Sequence, residues 1–210
     1  MNSGALALLL AGILLSGGLG QEDSPLGAVA RCRPADFDNP RVGKTGDCPG
    51  RLELALSHSD ARVRLVAISE LTDGGDAGSA EILAAVALTD DEVAVREEAI
   101  FGLGEIGDEA GLPILQQALV DPNRRVRKAA IDALAEIGGD NSAWALVVSL
   151  EDDNPSLREQ TLYALESIGG EAAIVLLQRA LADEHDFIRE VAAEVLGELK
   201  DRTLEYPVTN

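Results

Sequence analysis

The chain has 210 residues, 46% of them hydrophobic but only 3% aromatic, and its 37 acidic against 17 basic side chains give a net charge of −20. A field of that sign repels nucleic acid and anionic lipid, so those partners are excluded and a basic or mixed-charge protein surface is favoured. The length suits one sizeable domain, and its core must be built from Leu, Ile, Val and Ala.

Residues 1 to 20 carry no charged side chain, and Ala5 to Leu15 is an apolar block followed by Ser16-Gly17-Gly18-Leu19-Gly20. This is the pattern of a secretory signal peptide, with Gly18 and Gly20 where a signal peptidase reads. The apolar run is shorter than the ~20 residues of a membrane helix. Cleavage and export to a periplasmic or extracellular space is therefore expected, with an uncleaved N-terminal membrane anchor as the alternative. Residues 21 to 50 form a segment rich in Pro, Asp and Gly that holds the only two cysteines, Cys32 and Cys48. In an exported protein such a pair reads as a disulfide, stabilising by roughly 3 kcal/mol and clamping a cap over the first repeat.

From residue 51 to 201 the chain repeats itself. The arginines Arg64, Arg96, Arg127, Arg158 and Arg189 recur every 31 or 32 residues. Val63, Val95, Val126, Leu157 and Ile188 precede them; three residues after them stand Ala67, Ala99, Ala130, Thr161 and Ala192, and seven after, Leu71, Leu103, Leu134, Leu165 and Leu196. These offsets place the apolar residues on one helical stripe. Gly107, Gly138 and Gly169 follow one turn later, where a helix stop favours glycine. A further leucine column, Leu56, Leu88, Leu119, Leu150 and Leu181, closes a shorter helix before each arginine. Each unit is one helical hairpin that cannot bury its apolar face alone, so the expected fold is all-α, an α-solenoid of about five hairpins. Residues 202 to 210 read as a C-terminal tail.

The repeats resemble a known family. Asp90, Asp121, Asp152 and Asp183 stand six residues before the arginines, and runs such as Asp121-Pro122-Asn123-Arg124-Arg125-Val126-Arg127-Lys128 look like HEAT-like repeats of the phycobilisome-lyase type. The resemblance implies a structural ladder between successive repeats through Asp90, Arg96, Asp121, Arg127, Asp152, Arg158, Asp183 and Arg189. Only the first repeat departs, with His58 in the aspartate column. Two enzyme groups share related repeats. A deoxyhypusine hydroxylase would need His-Glu pairs for two irons, and the sequence has no His-Glu dipeptide. Its two histidines, His58 and His185, lie four repeats apart and read as surface residues. A bilin lyase acts in the cytoplasm, against the apparent export signal. No cofactor, metal site or catalytic residue is expected, although either enzyme type, or a purely structural spacer or oligomerising unit, is the alternative to a binding role.

The resemblance also implies that the second helices line a concave inner side. Positions one, two, five and nine after each arginine avoid the apolar stripe, and the partner-binding candidates among them are Leu65, Val66, Glu97, Glu98, Phe101, Lys128, Asp132, Glu159, Gln160, Tyr163, Glu190 and Glu194. Ser69, Glu105, Ala129, Glu136, Ser167, Val191 and Glu198 share the same columns. Residues 21 to 50 hold five acidic and four basic side chains, which leaves 32 acidic against 13 basic from residue 51 onward. The repeats themselves are therefore acidic, and Phe101 and Tyr163, in one column among carboxylates, read either as exposed aromatic anchors or as rings tucked against their neighbours and over the groove. The expected function is an exported, non-catalytic scaffold that binds a protein along this face.

Overall fold

The structure, a computed structural model, describes residues 55–75 and 77–205. The expectations for residues 1–20, for the 21–50 cap and for a bridge between Cys32 and Cys48 lie outside these residues. Nine α-helices are present among the described residues, and no strand. They fall into two compact units, one ending at Asp73 and the other beginning at Gly74.

The described part of the first unit is essentially one helix, α1 (Ala61–Gly74). Asp60 starts it: its carboxylate accepts the Arg62 N–H at 3.0 Å, leaving Ala67, Ile68 and Leu71 on the buried stripe. Asp60 is held at a pKa of about 2 by its side-chain and backbone hydrogen bonds from Arg62.

The second unit is four helical hairpins. In chain order they pair α2 (Ala77–Thr89) with α3 (Val93–Ile106), α4 (Leu112–Ala118) with α5 (Arg124–Ile137), α6 (Gly139–Ala145) with α7 (Pro155–Ile168), and α8 (Gly170–Ala180) with α9 (Asp186–Glu205). The first helices pack on one another in the order α2, α4, α6, α8, and the second in the order α3, α5, α7, α9, so this unit is a two-layered α-solenoid. Helix α9 runs to Glu205, into the segment read from sequence as a tail.

Local chemistry sets the helix ends. The side chains of Asn123 and Asn154 accept the N–H groups of Arg125 and Ser156, capping α5 and α7, and Pro155 opens α7 where its missing N–H costs nothing. At the far ends Gly107, Gly138 and Gly169 adopt φ of 68°, 71° and 67°, and each N–H bonds the carbonyl four residues back. Side chains rarely adopt that backbone region, which explains the glycine column. Between these ends the stripe residues Val95, Ile100, Leu103, Ile131, Leu134, Leu162 and Leu165 meet Leu83, Leu115, Leu176 and Leu177 from the first helices and Leu146 just after α6, all buried.

Candidate protein-binding face

The turns before α3, α5, α7 and α9 are all built in one way. The carboxylates of Asp90, Asp121, Asp152 and Asp183 accept the backbone N–H two residues further on, at 2.9, 2.7, 2.8 and 2.8 Å. Six residues later an arginine returns to the same turn: Nη1 of Arg96, Arg127, Arg158 and Arg189 donates to the backbone carbonyl of that aspartate at 2.8, 3.0, 2.6 and 2.7 Å. The rest of the guanidinium reaches into the next hairpin. Arg96 pairs with Asp121 at 3.1 Å, Arg127 with Asp152 at 2.6 Å and Arg158 with Asp183 at 2.8 Å, each through Nε and Nη2 to both carboxylate oxygens. A planar fork matched to a carboxylate is the strong form of the ion pair. Burial pushes the Asp183 carboxyl up, but hydrogen bonds from the His185 N–H and from Arg158, with the Arg158 charge, hold it below its ordinary value.

The histidines have work that their surface reading did not foresee. His58 is half-buried, and its Nδ1 accepts the Asp60 N–H at 3.0 Å, the bond that an aspartate carboxylate accepts in every later turn. Arg64 donates to the His58 carbonyl at 2.7 Å, as the other arginines do to theirs. His185 is exposed overall, yet its Nδ1 lies 2.7 Å from Arg158 Nη2, beside the last ion pair. The signal for His58 was present in its column position, since an imidazole nitrogen can accept an N–H as a carboxylate does.

With the arginines committed to the turns, the second helices present the columns beyond them to solvent. Phe101 is 56% exposed and Tyr163 48%, at equivalent positions on α3 and α7, and Asp132 stands between them on α5. Asp132 accepts hydrogen bonds from Lys128, at 2.8 Å, and from Gln160 on the next helix. Glu97 is half-buried and paired with Arg125 at 2.7 Å across α3 and α5. Glu98, Glu159 and Gln160 are half-buried, while Lys128, Glu190 and Glu194 are exposed, as are Glu105, Glu136, Ser167 and Glu198. Glu105, Glu136, Glu194 and Glu198 take part in no ion pair among the described residues. The free face of α3, α5, α7 and α9 therefore carries two aromatic rings in a field of unpaired carboxylates. In the first unit, Val66 is 61% exposed, and Leu65 is half-buried.

One expected position is overturned. Val191 is 5% exposed and does not project. Together with the half-buried Glu98, Ala129 and Gln160 it shows that, within the second unit, the column two after the arginine lies at the seam between neighbouring second helices. There α9 uses a valine, one turn before the buried Val195.

Among the described residues no group of three or more His, Cys, Asp or Glu side chains is arranged to hold a metal ion, and no helix is long and apolar enough to cross a membrane.

The sequence profile of HEAT repeats matches residues 49–119, 80–150 and 117–197. No curated protein sequence matches the chain. Among solved structures, the complex of CpcE and CpcF of phycocyanin lyase from Nostoc sp. PCC7120 superposes with a TM-score of 0.55 at 22% identity, covering 90% of this chain and 69% of that one. YIBA of E. coli superposes with a TM-score of 0.52 at 18% identity, covering 89% and 78%. Cex1p reaches 0.57 at 17% identity, covering 99% of this chain and 45% of its own. At such identities the likeness is one of fold.

Proposed function

The chain belongs to the HEAT-repeat family, and from that premise we propose that it is a non-catalytic scaffold that binds another protein on the free face of its second helices. The observation that carries this reading is the pair of exposed rings, Phe101 and Tyr163, held on rigid packed helices two hairpins apart among unpaired carboxylates. Exposed aromatics on a preorganised surface lose little entropy on binding and supply the burial that anchors an interface. The carboxylates Glu105, Glu136, Glu194 and Glu198 speed the encounter with a basic or mixed-charge partner surface and repel acidic ones. The CpcE–CpcF structure is itself a complex of two proteins, which supports assembly as a use of this fold.

The partner is a protein, with no nucleic acid and no cofactor. The apolar, uncharged residues 1–20 favour export, and N-terminal sequencing of the mature chain tests it: a first residue near Gln21 supports cleavage, and an intact Met1 supports an anchor. The binding face is tested by capture of the partner from the cell envelope with the wild-type chain and with Phe101→Ala/Tyr163→Ala. Retention by wild type and loss by the folded double variant is the expected result, and equal retention would remove this face from the interaction.

The alternative favoured by a specific observation is a subunit of a lyase, since the CpcE–CpcF complex superposes over most of the chain. Co-purification of a coloured tetrapyrrole with the captured complex would select it.

A further inference from the structure

The opposite side of the second unit is a different surface. On α4, α6 and α8 the exposed side of the first-helix layer carries Pro113, Trp144 and Val175 at equivalent positions 31 residues apart. Trp144, the only tryptophan of the chain, is 48% exposed, Val175 44% and Val148, just beyond α6, 37%. The neighbouring exposed side chains Gln117 and Gln178 carry no charge. Charges appear only at the rims: Glu109, Asp140 and Glu171 where the hairpins begin, and a Glu151–Arg179 ion pair at the other end that neutralises itself. Three adjacent helices thus share one uncharged, largely apolar patch on a chain whose net charge is −20.

We propose that this patch is where two copies of the chain meet, with Trp144 at the centre of a two-fold interface. Electrostatics selects the occupant. Two copies approaching through their second-helix faces would set carboxylate against carboxylate, whereas the first-helix face sets Pro113, Trp144, Val148 and Val175 between like-charged chains and keeps Glu109, Asp140 and Glu171 to one edge. A basic partner drawn by the net charge is directed to the acidic face, and an anionic membrane is repelled by it. A two-fold axis needs only one self-complementary patch, and an apolar one centred on a single large ring satisfies that requirement. Three helices about 10 Å apart offer roughly 500 Å² per copy, so the pair buries about 1,000 Å², the lower bound for a specific interface. The dimer is therefore weak and concentration-dependent. It leaves both acidic faces open, so one assembly presents two binding faces and gains avidity for a partner with repeated sites.

Salt separates this contact from binding at the acidic face. Screening relieves repulsion between the acidic rims and strengthens self-association, while it weakens capture of a basic partner. The test is sedimentation of the full chain from about 1 µM to about 1 mM, in about 50 mM and about 500 mM salt, with the emission of the sole tryptophan read at each concentration. Mass rising toward two chains, more steeply at high salt and with a blue shift of the emission, is expected. Trp144→Glu and Val175→Glu should each stay monomeric at an unchanged melting temperature, and Phe101→Ala/Tyr163→Ala should pair like wild type. A monomer throughout, association that weakens with salt, or pairing by a folded Trp144→Glu or Val175→Glu equal to wild type would overturn the proposal. So would emission already shielded in the dilute monomer, which would mean that the chain covers the patch itself.

Discussion

The two helix layers of the second unit are built to different tolerances. Helices α3, α5 and α7 are each 14 residues long, begin at matching turns and are stitched by the same arginine–aspartate pairs. The first helices vary: α2 has 13 residues, α8 has 11, and α4 and α6 have 7 each, flanked by 3₁₀ turns at Glu109–Gly111 and Leu146–Glu151. An ion pair with a planar fork tolerates little displacement, so it imposes one spacing on the layer that contains it. Apolar contacts lack direction, so the other layer meets its neighbours with whatever local geometry the sequence supplies. The directional contact sets the repeat, and the non-directional contact fills it.

Breaking the ladder should have the largest effect. In the pair Arg158–Asp183 the side chains are 5% and 9% exposed, and Arg158→Ala leaves a buried carboxylate without its cation. A loss of about 3–5 kcal/mol is expected in urea denaturation, against under about 1 kcal/mol for Lys128→Ala, whose pair with Asp132 is open to solvent. The same contact predicts a response to acid. The Asp183 carboxyl is depressed in the folded state, so its stabilisation is complete above the ordinary value of about 4 and is lost as pH falls through the folded value. Stability should therefore decline in acid, and with a shallower slope in Arg158→Ala.

Next comes the contact between α3 and α5. A Cβ placed on Gly104 would lie 2.9 Å from the Ala133 Cα, a backbone atom that cannot swing aside. Gly104→Ala should cost about 1–3 kcal/mol by overpacking, measurable as a lower thermal midpoint. The same change at Gly197, which meets nothing within 4 Å, should be tolerated.

The first-helix layer should respond in the opposite direction. The hydroxyls of Ser142 and Ser149 are buried without a hydrogen-bond partner, at positions where the preceding and following hairpins carry Gly111, Ala118, Ala173 and Ala180. Ser149→Ala should therefore stabilise by about 1 kcal/mol, and a destabilised variant would show that the hydroxyl is satisfied. The smallest effect belongs to the free face. Phe101→Ala/Tyr163→Ala should change stability by under about 0.5 kcal/mol while abolishing partner capture.

Much of this was legible in the residues. The arginine period, the leucine and glycine columns and the composition state an all-α repeat, because helical spacing and the glycine stop act within a few residues of chain. That Phe101 and Tyr163 lie off the stripe was legible for the same reason, but whether the rings stand free or tuck against their neighbours was not. Other features were not. Val191 occupies a column that reads as free, but how far a neighbouring helix reaches over that column depends on packing between hairpins. His58 looked like an exception to the ladder until its ring nitrogen was seen accepting the bond that its column requires. The uncharged face around Trp144 was also hidden, because Pro113, Trp144 and Val175 share no residue type and only adjacent helices join them.

The sequence by itself determined the class of fold, the length of the repeat and the acidity of the chain, since these follow from local periodicity and from counting charges. Tertiary structure alone decided that each arginine grips its own turn while reaching forward to the next, which columns close into seams and which residues gather into a patch. Those outcomes depend on distances between helices far apart along the chain, and no local pattern encodes them.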